Sequence, residues 1–85
     1  MQVRILYFAS LREALDTSGE TVRLPEGIDT AGALRQWLIR RGAPFADALG
    51  AGKAIRMSVD QTMANASTPL AEDVEVAFFP PVTGG

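Results

Sequence analysis

Residues 74–85 read VEVAFFPPVTGG, and this ending decides how the fold is interpreted. Alternation along a strand places three apolar side chains on one face: Val74, Val76 and Phe78. Two prolines follow at once and favour extended backbone, so we expect the chain to leave the strand in a semi-rigid direction. The sequence therefore predicts a domain over residues 1–79 and an extended tail over residues 80–85.

The predicted tail ends in a pair of glycines that carries a free carboxylate. Gly84 and Gly85 have no side chains, so they can enter a channel too narrow for other residues. At about 3.3 Å per extended residue, residues 80–85 reach roughly 20 Å. Chain ends are commonly frayed, which makes an incidental tail the alternative. The preceding strand and the two prolines favour a functional tail.

The composition argues against a self-contained enzyme. The 85 residues, 47% of them hydrophobic, suit a single globular domain. The chain contains no cysteine and no histidine, so we expect no disulfide, no nucleophile–base pair and no metal site. A net charge of −2 argues against nucleic acid, and no apolar run approaches the ~20 residues of a membrane span. We therefore expect a cytoplasmic protein.

The hydrophobic pattern predicts an α+β domain in the order strand, strand, helix, strand, strand. Ser10 is the expected N-cap of a short helix that precedes the second strand. The main helix is predicted from Thr30 to Arg41, with Gly42 ending it. The other predicted elements are strands Val3–Phe8, Thr21–Leu24, Ala54–Asp60, Met63–Ala64 and Val74–Phe79, and helical turns at Ser10–Asp16 and Phe45–Leu49.

One face of the predicted sheet has no helix to cover it. A single main helix packs on one side of a sheet and leaves the other side to water or to a partner. Phe8, Met63 and Phe79 are all expected on this open face. Clustered exposed apolar side chains indicate a contact surface, whereas isolated ones are ordinary.

The segment Gly50-Ala51-Gly52-Lys53 superficially resembles a phosphate-binding loop. The Walker pattern requires two glycines four residues apart, followed by Lys and then Ser or Thr at the start of a helix. Here Ala54 and a strand follow, so we predict a hairpin-like connection instead.

The remaining candidate for chemistry is the terminal carboxylate of Gly85. A carboxylate resists nucleophiles until it is activated, and a partner that uses ATP can convert it to an acyl-adenylate. Reaction of the acyl-adenylate with a sulfur donor then gives a thiocarboxylate, whereas reaction with an amine gives a conjugate. Both outcomes are compatible with the residues alone.

Several segments resemble the small, sulfur-carrying subunits of molybdopterin synthase. The similar segments are residues 5–9, 11–13, 33–36, 59–62 and the ending 75–85. The resemblance implies a ubiquitin-like β-grasp fold, with a mixed sheet of four to five strands packed on one main helix. It also implies that the first and last strands pair in parallel at the centre of the sheet.

The resemblance further implies a function centred on Gly85. An E1-like enzyme that uses ATP would adenylate Gly85, and a sulfur-donating enzyme would supply the sulfur of a thiocarboxylate. The large synthase subunit would then receive the tail and transfer sulfur to cyclic pyranopterin monophosphate, within a heterotetramer of two small and two large subunits. No cofactor is expected on this chain. The implied tail residues are Pro80, Pro81, Val82, Thr83, Gly84 and Gly85, and the implied docking residues are Phe8, Met63 and Phe79.

Three alternatives stay open at this point. The first is a ubiquitin-like protein modifier, in which Gly85 joins lysine side chains through an isopeptide bond. A thiamine-type sulfur carrier is a second alternative. An interaction domain with an incidental tail is the third, and it predicts that deleting Gly84 and Gly85 leaves molybdoenzyme activity intact.

Overall fold

The computed structural model describes residues 1–81, so the tail residues predicted at 82–85 lie outside the described residues. Residues 1–81 form five strands and three helices. In order they are β1 (Gln2–Tyr7), α1 (Ser10–Leu15), β2 (Gly19–Arg23), α2 (Ala31–Ile39), α3 (Phe45–Leu49), β3 (Arg56–Val59), β4 (Thr62–Ala64) and β5 (Glu75–Phe79).

The five strands form one mixed sheet in the order β2-β1-β5-β3-β4. β1 and β5 lie in parallel at its centre, with Ile5 opposite Val76 and Tyr7 opposite Phe78. The other neighbouring strands are antiparallel. The predicted α+β class and the central parallel pair are therefore confirmed.

The core lies between α2 and one face of the sheet. Ala31, Leu34 and Leu38 are completely buried, as their helical spacing predicts. The sheet side chains beneath them are the inward-facing residues of β1 and β5, which are at most 1% exposed: Val3, Ile5, Tyr7, Val76 and Phe78. Leu70 and Val74 are buried in the same core, as predicted.

Local hydrogen bonds fix where the helices begin. The Thr30 hydroxyl accepts a hydrogen bond of 3.1 Å from the Ala33 amide, so Thr30 is the N-cap of α2. The expectation that Ser10 caps α1 is wrong, because Ala9 occupies the N-cap position and no side chain bonds there. Ala9 has a φ of 54°, and this turn carries the chain directly from β1 into the helix.

Several elements begin or end one or two residues away from their predicted bounds. α2 stops at Ile39, two residues before the predicted end. Gly42 has a φ of +86° and turns the chain away, as its position predicted. The strand predicted from Ala54 begins at Arg56, and the second strand runs from Gly19 rather than Thr21.

A two-residue turn joins β3 to β4. Asp60 and Gln61 have φ values of 47° and 68°, the positive pair expected of a tight hairpin. Asp60 also accepts a hydrogen bond of 2.9 Å from the Glu75 amide, which ties the turn to β5. Because the turn fixes the register, Met63 lies opposite Ser58 on β3.

Candidate functional site

The face of the sheet opposite α2 carries the candidate site, and we call it the open face. The register places Leu6 opposite Ala77, and Ala77 opposite Ser58, which in turn faces Met63. One row of side chains therefore crosses β1, β5, β3 and β4 on this face. Phe79 follows Ala77 on the same side of β5 and pairs with Arg56.

Phe8, Met63 and Phe79 line one groove on this face, as the alternation predicted. Phe8 is 45% exposed and Met63 58% exposed, while Phe79 is half-buried. The groove has a volume of about 420 Å³. Its apolar lining is Leu6, Phe8, Met63, Ala77 and Phe79, and its polar margin is Ser58, Gln61 and Glu75. We call this surface the apolar groove.

The opposite end of the open face is polar. Arg4 lies opposite Glu75, and Asp60 and Gln61 lie beside them around a shallow cavity. Cations and carboxylates are mixed at this end, so it carries no strong charge of one sign. Phe8, Met63 and Phe79 do not line this polar cavity, whereas Gln61 and Glu75 line both it and the apolar groove.

The chain leaves β5 at Phe79, beside the apolar groove. Pro80 and Pro81 are half-buried and lie outside any strand or helix. Pro80 lines one cavity together with residues of α1 and α3, and Pro81 lines another together with Arg35 and Arg56. The expected roles of Val82, Thr83, Gly84 and Gly85 fall on residues outside the described part of the chain.

No pattern in the sequence predicts a structural role for the Arg35 side chain. Its Nε donates to the Leu49 carbonyl at 2.8 Å, and Nη2 donates to the carbonyls of Gly50 and Lys53 at 2.8 and 3.1 Å. Burial lowers the pKa of Arg35 from its ordinary value. The guanidinium therefore holds the connection after α3 in place.

The same contacts explain the Gly50–Lys53 segment. A phosphate-binding loop directs main-chain N–H groups at its ligand. In this connection three carbonyl oxygens converge on Arg35. The segment is therefore not built like a phosphate-binding loop, but the predicted hairpin-like connection is wrong, because the segment joins helix α3 to strand β3 rather than two strands.

A polar chain on the covered side links four elements. The Tyr7 hydroxyl donates a hydrogen bond of 2.8 Å to Glu20, which forms an ion pair of 3.0 Å with Arg41. The Arg41 guanidinium stacks over the ring of Phe45, 4.4 Å from its centroid. Burial raises the pKa of Tyr7, and the neighbouring Glu20 raises it further. These contacts hold four parts of the chain together: β1, β2, α3 and the segment that follows α2.

Residues 1–81 contain no constellation suited to acid–base or metal chemistry. No polar or charged residue in this part of the chain is buried, and no group of three or more acidic side chains is placed to hold a metal ion. None of the helices in the described range is long and apolar enough to cross a membrane. The candidate site that these residues form is an exposed apolar groove beside the point where the chain leaves β5.

A central parallel strand pair, one main helix and an open face define the β-grasp class. The chain belongs to the ThiS family, whose model matches residues 5–85. It is 39% identical over 83 residues to the molybdopterin synthase sulfur carrier subunit of Escherichia coli strain K12, covering 98% of this chain and 99% of the relative. The subunit with the same description from Haemophilus influenzae is 35% identical, with the same coverage.

Solved structures share the fold over nearly the whole chain. A molybdopterin converting factor subunit 1, described as putative, from Pyrococcus furiosus has a TM-score of 0.77 at 24% identity, over 96% of this chain and 99% of its own. Small archaeal modifier protein 1 of Haloferax volcanii has a TM-score of 0.74 at 22% identity, over 95% of this chain and 98% of its own. The third structure is a complex of subunits 1 and 2 of the molybdopterin-converting factor from Helicobacter pylori. One chain of it matches with a TM-score of 0.67 at 19% identity, over the whole of this chain and the whole of its own. These likenesses establish the ubiquitin-like β-grasp fold.

Proposed function

We propose that this chain is the sulfur carrier subunit of a molybdopterin synthase and that Gly85 carries the sulfur as a thiocarboxylate. Relatives at 35–39% identity over almost the full length are sulfur carrier subunits of this synthase, which supports the proposal. The observation that carries it structurally is the position of Phe79. β5 ends there, at the margin of the apolar groove, so a partner that covers the groove also meets the start of the tail.

The proposed chemistry begins with activation of the carboxylate. A Gly85 carboxylate oxygen attacks the α-phosphate of ATP on an E1-like adenylating enzyme, and pyrophosphate leaves. A hydrosulfide equivalent from a sulfur-donating enzyme then attacks the carbonyl carbon, and AMP leaves. The product is a thiocarboxylate, in which sulfur replaces one oxygen of the main-chain carboxylate. ATP is consumed by the partner, and the chain itself binds no cofactor.

Sulfur transfer follows in the large subunit. The thiocarboxylate sulfur attacks a carbon of cyclic pyranopterin monophosphate and displaces the oxygen substituent on that carbon, which leaves as water or as a phosphate oxygen. Hydrolysis of the resulting thioester then breaks its bond to the Gly85 carbonyl, which leaves the sulfur on the substrate and restores the Gly85 carboxylate. A dithiolene contains two sulfurs, so two carriers are used for each product, in accord with a heterotetramer of two small and two large subunits. Catalytic side chains come from the large subunit, and the chain is not an enzyme by itself. We place these steps in the cytoplasm, where ATP is available.

The docking surface of this proposal is the apolar groove. Phe8, Met63 and Phe79 contact the large subunit, while Pro80 to Gly85 extends into its active site. The complex of the two converting-factor subunits from Helicobacter pylori supports a large-subunit partner of this kind. Exposed apolar side chains gathered at one end of an otherwise polar face are typical of such interfaces.

Reconstitution tests the proposal. The chain is combined with the adenylating enzyme, ATP, a sulfur source and the large subunit, and conversion of cyclic pyranopterin monophosphate to molybdopterin is measured. Wild-type chain supports conversion. Deletion of Gly84 and Gly85, or one extra residue after Gly85, abolishes it because no terminal carboxylate stands at the right position. Full activity of either variant contradicts the proposal.

Protein modification is a second candidate function. The fold likeness to small archaeal modifier protein 1 favours it only at the level of architecture, at 22% identity. In this alternative Gly85 forms isopeptide bonds with lysines, and immunoblots of native cell extracts show a ladder of larger adducts. A single band, together with molybdopterin formation in the reconstitution, supports the carrier. A thiamine-type carrier would instead be inactive with the large subunit.

A further inference from the structure

Two cavities flank the point where the chain leaves β5. One, of about 320 Å³, is lined by Pro80, and the other, of about 450 Å³, is lined by Pro81. The charged residues that line them are Lys53 in the first cavity, and Arg35 and Arg56 in the second. All three are cations, and we call them the basic collar.

No carboxylate within residues 1–81 neutralises the basic collar. The ion pair formed in this part of the chain joins Arg41 to Glu20 and involves none of the three. Arg35 donates its hydrogen bonds to main-chain carbonyls, which leave its positive charge uncompensated. Glu13 on α1 and Asp47 on α3 line neither cavity.

The sign of the basic collar is opposite to that of the whole chain. Ten acidic and eight basic residues give the protein a net charge of −2. At the far end of the open face, Arg4 lies beside Asp60 and Glu75, so charges there are mixed. A uniformly positive surface is thus localised where the chain emerges.

The basic collar is continuous with the apolar groove. Met63 lines both the groove and the cavity beside Pro81. Arg56 pairs with Phe79 across β3 and β5, so its side chain starts on the open face next to a groove residue. A partner that covers the groove and accepts the chain end therefore presents the mouth of its channel to these cations.

We propose that the basic collar pairs with carboxylate side chains around the mouth of the channel that receives the tail in the large subunit. This inference rests on the proposed function, because it assumes that the large subunit covers the apolar groove. Opposite charges around a channel mouth accelerate association and orient the entering chain. The groove supplies apolar contact area, and the basic collar aligns the tail with the channel.

Charge reversal at Arg56 tests the inference, with Arg23 as the matched control. Both arginines are exposed strand residues on the open face, and each change to Glu alters the net charge equally. Arg23 pairs with Gln2 at the start of β1. Gln2 lies six residues before Phe8, so at roughly 3.3 Å per residue Arg23 is about 20 Å from the groove residue Phe8. The association rate constant with the large subunit is measured by stopped flow at low and at high ionic strength, using the full chain.

Arg56→Glu lowers the association rate constant about tenfold at low ionic strength, and the deficit shrinks at high salt because exposed charges are screened. Lys53→Glu has a smaller effect in the same direction. The association rate constant of Arg23→Glu stays within about twofold of the wild-type value. Unchanged thermal unfolding of each variant establishes that the fold is retained.

The experiment distinguishes failure of the basic-collar proposal from failure of the proposed carrier function. Equal slowing by Arg56→Glu and Arg23→Glu, or slowing by Arg56→Glu that does not depend on salt, overturns the role of the basic collar while the carrier function stands. Absence of any binding between wild-type chain and the large subunit overturns the proposed function instead.

Discussion

The two faces of the central sheet use the same strands for different purposes. On the covered face, Phe78 is completely buried against α2 and its neighbours. On the open face, the next residue, Phe79, is half-buried and lines the apolar groove. Because side chains alternate along a strand, adjacent phenylalanines serve stability and docking separately. Substitutions on the two faces should therefore have separable effects.

The largest expected effect lies on the covered face. Phe78→Ala removes a fully buried ring that stacks on Tyr7 at 6.2 Å, and it should cost about 3–5 kcal/mol in the free energy of unfolding. Urea denaturation measures this loss. Phe78→Leu keeps most of the volume and should cost less than about 1.5 kcal/mol. Similar stability of Phe78→Ala and wild type contradicts the assignment of the core.

Phe79→Asp should produce the converse result on the open face. Loss of this aromatic side chain from the groove should weaken binding to the large subunit by about 30-fold or more, which corresponds to about 2 kcal/mol or more. The isolated variant should still unfold cooperatively, because the side chain points away from the core. Thr21→Asp places the same charge on the open face outside the groove and should bind within about twofold of wild type. Loss of cooperative unfolding in Phe79→Asp contradicts the separation of the two faces.

Gly32 tests how closely α2 packs against the loop that follows β4. A Cβ atom at this position would lie 2.7 Å from the Cβ and 2.8 Å from the carbonyl oxygen of Ala66. Gly32→Ala should therefore lower the free energy of unfolding by about 1 kcal/mol, even though alanine favours helices. Gly52→Ala is the control, since nothing lies within 4 Å of its Cβ position. Ala66→Gly should partly restore stability to Gly32→Ala, and an additive double mutant contradicts the contact.

The smallest expected effect concerns Tyr7, the chain's one tyrosine. Tyr7→Phe removes the hydrogen bond to Glu20 and should cost about 1 kcal/mol at neutral pH. Burial raises the pKa of Tyr7 in the folded protein, so the unfolded chain loses this proton first as the pH rises. The stability due to Tyr7 is therefore intact below about pH 10 and declines above it.

Urea unfolding at a series of alkaline pH values checks the sign of this linkage. Wild type should lose stability above about pH 10, whereas Tyr7→Phe should lack that part of the decline. An identical alkaline decline in the two proteins contradicts the linkage. The phenolate absorbance of wild type should rise only as the protein unfolds.

Much of the fold followed from local patterns in the sequence. Alternation assigned Val76 and Phe78 to the core and Phe79 to the other face, and helical spacing identified the buried side of α2. The cluster of Phe8, Met63 and Phe79 required only strand parity and the order of elements. The prediction that these residues dock a partner remains a prediction.

The features that the sequence did not reveal depend on contacts between distant segments. No pattern in the sequence predicts the close neighbour of Gly32, which is Ala66 in the loop after β4. Arg35 lies in one of the segments that resemble the sulfur-carrying subunits. No pattern there predicts that its guanidinium binds carbonyls 14 to 18 residues away. Ser10 matched a capping pattern, but the turn at Ala9 placed the start of α1 differently. Local patterns contain no information on such partners.

The central claim is that the reactive group is the main-chain carboxylate of Gly85, and intact mass analysis of the chain isolated from its native cells tests it most directly. The account predicts a fraction of molecules in which one oxygen is replaced by sulfur, with fragmentation placing the change at Gly85. That fraction should disappear when the adenylating enzyme is absent. Sulfur located at any other residue, or a chain that never carries sulfur while molybdopterin is being made, contradicts the account.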